Sequence, residues 1–131
     1  MSEEEKLAYL HSELLECARY GEEDDLRLIL QEKGVDVNYA DPDLGNTALH
    51  RAAANGEVTC MAILFKAGAQ HNANFQGNYP IHWAALNGKP DSLQFLFDHY
   101  ECDVLIQNQL GRSTLTEAFQ SQSTSVIELC L

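Results

Sequence analysis

The chain has 131 residues, 45% of them hydrophobic, and its 20 acidic against 8 basic residues give a formal charge of -12. That length and apolar share suit one compact domain with a core and exclude disorder for most of the chain. The charge is repelled by phosphate backbones and anionic membrane surfaces, so nucleic acid and membrane are poor partners and a basic protein surface is a fair one.

Along the chain, Met1-Ser2-Glu3-Glu4-Glu5-Lys6 is acidic where a secretory leader is basic, and no apolar stretch follows it. We expect this start to be a frayed, solvated end. Glu22 to Asp25 falls at a turn between helices, where acids favour the start of the next helix. Asp41-Pro42-Asp43-Leu44-Gly45 reads as the turn at a hairpin tip; it has two spaced acids but lacks the rest of a calcium-binding loop. Gly45 then opens a segment that recurs. Gly45, Gly77 and Gly111 stand 32 and 34 residues apart. Asn46-Thr47-Ala48-Leu49-His50-Arg51-Ala52-Ala53-Ala54-Asn55-Gly56 follows the first. Asn78-Tyr79-Pro80-Ile81-His82-Trp83-Ala84-Ala85-Leu86-Asn87-Gly88 follows the second. Arg112-Ser113-Thr114-Leu115-Thr116-Glu117-Ala118-Phe119 is a weaker third copy, and Ser12 to Gly21 is a fourth at the start of the chain.

These segments resemble the ankyrin-repeat family, whose pattern is a glycine turn, T-P-L-H-x-A-A-x-x-G, a second helix ending in L-L, and then G-A-D-x-N. Ile63 to Asn72 and Leu28 to Asn38 supply second halves of repeats. Phe95 to Val104 supplies another, with one residue inserted near Tyr100 and Glu101. The resemblance implies an all-α solenoid of stacked helix-turn-helix units with hairpin tips. The expected layout is a single domain over residues 1–131, with repeats at about 10–42, 43–75, 76–109 and a truncated 110–131. Local chemistry agrees. Thr47 suits a helix N-cap and Pro80 a first helical turn. Ala52-Ala53 and Ala84-Ala85 let helices approach closely, and Gly56 and Gly88 suit helix ends. Because the last repeat stops at Leu129-Cys130-Leu131, inside what should be its second helix, the chain is expected to be part of a longer protein; a natural short protein is the alternative.

No catalytic, cofactor-binding or metal-binding residues are assigned. His50 and His82 share one place in the repeat, where the fold itself explains an imidazole bonded to backbone and threonine hydroxyls between loops. In the last repeat Thr116 takes that place. His11, His71 and His99 have no ligand-like partner at i+4. Cys17, Cys60, Cys102 and Cys130 form no CxxC pair and read as reduced, mostly buried small hydrophobes, which with the missing leader points to the cytoplasm or nucleus.

The resemblance implies a concave surface of tips and inner helices on which a partner protein sits. Among the positions that the repeat pattern leaves free, Leu44, Asn46, Arg51, Phe75, Asn78, Trp83, Asn87 and Arg112 are the expected partner-binding residues, and Tyr79, at a pattern position, joins them. Phe75 and Trp83 are the expected anchors, since an aromatic buries much area with few rotors to freeze. Trp83 has a competing role, packing between helices. Tyr79 replaces the usual threonine and gives up a cap hydroxyl. Leu30 followed by Asp36, Val37 and Asn38 resembles the sequence that asparaginyl hydroxylases accept in ankyrin hairpins; a plain turn asparagine is the other reading of Asn38. The expected function is a protein-binding module without catalysis, monomeric by default. The alternative is the N-terminal recruitment domain of a multidomain enzyme whose catalytic part lies beyond residue 131.

Overall fold

Each glycine-bounded segment folds into a helix–turn–helix unit. The computed structural model describes residues 1–131 and contains eight helices and no strands. They are α1 (Glu3–Tyr20), α2 (Glu23–Leu30), α3 (Ala48–Asn55), α4 (Val58–Lys66), α5 (Pro80–Leu86), α6 (Pro90–His99), α7 (Thr114–Ser121) and α8 (Thr124–Cys130). Four consecutive pairs stack so that α1, α3, α5 and α7 form one row and α2, α4, α6 and α8 a second. This is the all-α solenoid of stacked units expected from the sequence. The tips are turns, and an isolated antiparallel bridge joins Gln107 to Ser113. No helix is long and apolar enough to cross a membrane.

The helix starts follow from local chemistry. Thr47 Oγ1 accepts from the His50 amide, and His50 Nδ1 accepts from the Thr47 amide, closing a box at the head of α3. Ser113 Oγ caps α7 through the Thr116 amide at 3.2 Å. Pro80 begins α5, where its missing N–H costs nothing. Gly56 ends α3 at φ 73, a left-handed conformation that a Cβ would strain. The next amide, that of Glu57, then closes back on the Ala52 carbonyl at 2.9 Å. Glu22 on Cys17 and Lys89 on Ala84 repeat the same closure. Each turn is thereby sealed and the second helix starts at once.

The acidic start departs from the expectation of a frayed end. Glu3, Glu4 and Glu5 form the first turn of α1, an 18-residue helix. Ser2 Oγ caps the Glu5 amide at 3.1 Å, and the Glu5 carboxylate reaches back to the Ser2 amide at 3.4 Å. Three carboxylates at a helix N-terminus also favour the helix dipole.

One continuous core runs between the two rows of helices. Leu14, Leu26, Leu49, Met61, Leu64, Ile81, Leu93, Leu96 and Val126 are its largest fully buried apolar side chains. Burial of each such side chain contributes about 1.5–3 kcal/mol. Ala52, Ala53, Ala84 and Ala85 are fully buried, and their small size lets neighbouring first helices approach.

Candidate functional site

The three tips share one design. In the first, Asp41 Oδ1 accepts from the amides of Leu44 and Gly45 at 2.7 and 3.2 Å. In the second, Asn74 Oδ1 accepts from Gln76 and Asn78; in the third, Asn108 Oδ1 accepts from Leu110 and Arg112. The amide groups of these side chains also bridge the tips. Asn74 Nδ2 donates to Asn46 Oδ1 at 2.8 Å, and Asn108 Nδ2 donates to Asn78 Oδ1 at 2.7 Å. Backbone bonds from Phe75 to Leu44 and from Gln109 to Gln76 complete the ladder. Burial alone would raise the Asp41 carboxyl. The Leu44 and Gly45 amides and the Arg51 guanidinium outweigh it and hold the carboxyl below its ordinary value.

Below the tips, histidines staple one repeat to the next. Because His50 Nδ1 accepts from the Thr47 amide, its proton lies on Nε2, which donates to the Asn78 carbonyl at 2.7 Å. His82 does the same between the Tyr79 amide and the Ile106 carbonyl, at 2.9 and 3.0 Å. Burial lowers His50 to about 4 and lowers His82 as well. The expected role of both imidazoles, bonded between loops, is what the structure has. Thr116 holds the same place in the last repeat, its hydroxyl 3.1 Å from that of Ser113.

The free positions divide into two kinds. Phe75, at 59% exposed, and Leu44, at 46%, stand open at neighbouring tips. The Phe75 ring lies across Gly45, so close that a Cβ there would meet it at 2.7 Å. Trp83 is half-buried, with the edge of one ring against the other in its contact with His50 at 5.5 Å, so it packs between repeats and keeps part of its surface accessible. Arg112 is exposed, its Nη1 3.8 Å from Glu117 Oε1. Asn87 is exposed, and its amide donates to the Trp83 carbonyl at 2.8 Å.

Asn46, Asn78 and Arg51 are instead used by the fold. Asn46 is 2% exposed and holds the first two tips together. It is not open to a partner while that ladder stands. Asn78 links the second and third tips. Arg51 lies 3.7 Å from Asp41 in a largely covered pair. Asn38 is half-buried, and its Oδ1 accepts from the Gln70 amide at 2.8 Å.

Tyr79 explains its own departure from the threonine pattern. Its side chain makes no cap bond; His71 Nε2, from the preceding loop, accepts from the Ile81 amide at 3.2 Å. The Tyr79 and His71 rings stack at 5.2 Å, and the Tyr100 ring lies tilted 5.7 Å from that of His71. Burial, with His50 and His82 nearby, lowers His71 to about 4. The sequence reading missed this borrowed cap. It also missed the asparagine bridges, although Asn74 and Asn108 stand one repeat apart.

No nucleophile is activated among these groups. Burial pushes the Cys17 thiol up to about 12 and those of Cys60 and Cys102 up to about 11, and it raises Cys130 too. All four therefore hold their protons at neutral pH. Cys17, Glu22 and Asp25 could place three ligand atoms within 4.8 Å of one another, but metal binding there would require that thiol to ionise beside two carboxylates.

Known proteins share this pattern. A family model described as ankyrin repeats (3 copies) matches residues 14–108. An ankyrin repeat and KH domain-containing protein, mask-1 of Caenorhabditis elegans, is 34% identical over 90 residues, covering 69% of this chain and 3% of that protein. The E3 ubiquitin-protein ligase Ufd4 of Drosophila melanogaster is 35% identical over 80 residues, covering 61% of this chain and 3% of the ligase. The palmitoyltransferase AKR1 of Candida glabrata is 29% identical over 98 residues, covering 66% and 13%. The chain thus spans only a small part of the relatives it matches.

Proposed function

Because the chain belongs to the ankyrin-repeat family, whose repeats are protein-interaction modules, we propose that it binds a partner protein across its tips and first helices. One observation carries this reading. Phe75 stands 59% exposed on a tip that is hydrogen-bonded to both neighbouring tips, with half-buried Trp83 on the helix that follows. A large ring on a rigid support gains contact area at little entropic cost. Leu44 and Tyr79 extend the apolar part, and Asn87 and Arg112 supply polar contacts at its edge. A net charge of -12 favours a partner with a basic surface. We expect an interface of about 1,600 Å2 in total.

A second reading places the same contact inside a larger protein. Matching segments occur in proteins named as a ubiquitin ligase and a palmitoyltransferase, each far longer than this chain. The module would then recruit a partner or substrate for a catalytic part encoded elsewhere. Under either reading Asn38 remains our proposed hydroxylation site. Modification would require the Asn38 side chain to release the Gln70 amide. A mass gain of one oxygen atom on the peptide containing Asn38 is the expected result after exposure to an asparaginyl hydroxylase.

The test is affinity capture from a cell extract with mass spectrometry, using the chain and its Phe75→Ala, Trp83→Ala double variant as baits. A protein retained by the first and lost from the second is expected, with both baits equally folded. If the double variant is destabilised as much as a chain with the buried Leu49 or Ile81 cut back to alanine, or retains the same proteins, the assignment of this face is wrong.

A further inference from the structure

The first hairpin has an open surface remote from Phe75 and Trp83. Between α1 and α2 lies a groove of about 300 Å3. Leu10, Cys17 and Ile29 form its floor, and Tyr9 and Leu28 its walls. Tyr9 is 57% exposed and Leu28 62%, large apolar groups with nothing over them. The groove continues as a second hollow of about 210 Å3 that shares Leu10 and Glu32 and runs past Leu7 to Glu3 and Glu4. From Cys17 back to Glu3 this track follows α1 for about 20 Å at 1.5 Å per residue.

Packing explains why the groove is open. α1 rests on α3 and α2 on α4, so both helices of this hairpin are covered from one side only. A seam between two packed helices is shaped for the ridge of a third. The tips are turns without a sheet edge, so a strand would find no ladder to join.

Charge selects the occupant. The groove of Tyr9 and Leu28 is rimmed by Glu13, Asp25 and Glu32 and has no basic residue in its lining. Of the two lysines in the continuation, Lys6 is already 3.9 Å from Glu32. A second copy of the chain would bring another charge of -12 against this rim, and an anionic lipid or nucleic acid would be repelled in the same way.

We propose that the α1–α2 groove docks a basic amphipathic helix of a partner protein. Its apolar stripe lies between Tyr9 and Leu28, and its lysines or arginines face Glu13, Asp25 and Glu32. This site is independent of the tip surface and stands or falls separately from it.

The test titrates the full chain with a synthetic amphipathic helix bearing leucines on one face and lysines on the other. Two control peptides are a scrambled version of the same composition and a version with glutamate in place of lysine. Saturable binding is expected for the first peptide alone. The Tyr9→Ser, Leu28→Ser double variant should weaken it about tenfold, and Glu13→Gln with Glu32→Gln about threefold or more. Tyr9 and Leu28 are exposed, so circular dichroism and melting should be unchanged by their replacement. Phe75→Ala with Trp83→Ala should leave the affinity as it was, which separates this site from the tip surface. The proposal is overturned if the scrambled or glutamate peptide binds equally well. It is also overturned if the serine variant binds like the parent, or if no peptide binds. Sedimentation showing a dimer that Leu28→Ser disperses would mean that a second copy occupies the groove, and would likewise overturn it.

Discussion

The second and third repeats begin their first helices in different ways. At α3, Thr47 and His50 close the cap within four residues of each other, and the buried histidine also reaches the Asn78 carbonyl of the next repeat. At α5, Tyr79 offers no hydroxyl where it is needed, and His71 supplies the acceptor from the preceding loop. The first arrangement is local, closed within residues 47–50. The second requires two segments to meet, with Tyr79, His71 and Tyr100 packed as one cluster. A repeat can therefore depart from the family pattern at a capping position when a neighbouring residue supplies an acceptor to the adjacent amide of the same helix start, Ile81 here in place of His82.

Both helices rest on the same core, and the largest expected effect is common to them. Leu49 is 1% exposed and Ile81 2%. Leu49→Ala and Ile81→Ala should each cost about 2–5 kcal/mol, read as a shift in the urea midpoint. A loss below about 1 kcal/mol at either site would mean that the two repeats do not share one packed layer.

Acid should act on both helix starts next. His50 and His71 titrate near 4 in the fold, against 6.5 when free, because burial disfavours their charged forms. Around His50, Asp41 opposes that shift while His82 and Arg51 reinforce it; around His71, His50 and His82 reinforce it. Between pH 6.5 and about 4 the unfolded chain binds more protons than the folded one. Stability is then fully present above that window and falls as pH drops through it. For fully buried His50 the loss approaches roughly 3 kcal/mol. Urea midpoints measured across the window should fall toward acid, and His50→Gln should flatten the slope. A slope unchanged by that substitution would remove His50 from the account.

How much of this could be read in advance depends on the repeat. The fold was legible because a glycine at intervals of 32 and 34 residues, a histidine five residues on in two copies and a pair of alanines each do a backbone or packing job that few other residues can do. The imidazole staples were legible for the same reason. The tip asparagines were not, since any turn asparagine looks alike until the interval from Asn74 to Asn108 is set against the repeat. The extension of α1 was written in the Ser2 to Glu5 spacing, a capping box hidden inside an acidic run that resembled a solvated end. Phe75 and Leu44 could be picked out as exposed, whereas Asn46 could not be recognised as buried, because its burial comes from Asn74 in the next tip. The groove beside Tyr9 and Leu28 was beyond reach. Those residues fit an ordinary apolar stripe, and only one-sided stacking leaves them bare.

The smallest expected effect tests the comparison most directly. Thr47→Ala removes a local cap and should cost about 0.5–2 kcal/mol whatever residue stands at position 71. His71→Ala should cost about 1 kcal/mol for the lost cap on Ile81, with a further loss from ring packing. Tyr79→Thr should put a hydroxyl back at the head of α5, where an N-cap oxygen accepts from the Ile81 or the His82 amide and so competes with the imidazole. In that background His71→Ala should then cost less, giving a coupling energy of about 1 kcal/mol in the double-mutant cycle. Ring stacking between Tyr79 and His71 contributes coupling of the same sign, so Tyr79→Leu is the needed control: it removes the ring and restores no cap. A cycle through Tyr79→Leu that matches the one through Tyr79→Thr would assign the coupling to stacking alone. A larger coupling through threonine would show that the third repeat borrows from its neighbour the acceptor that the second repeat carries itself.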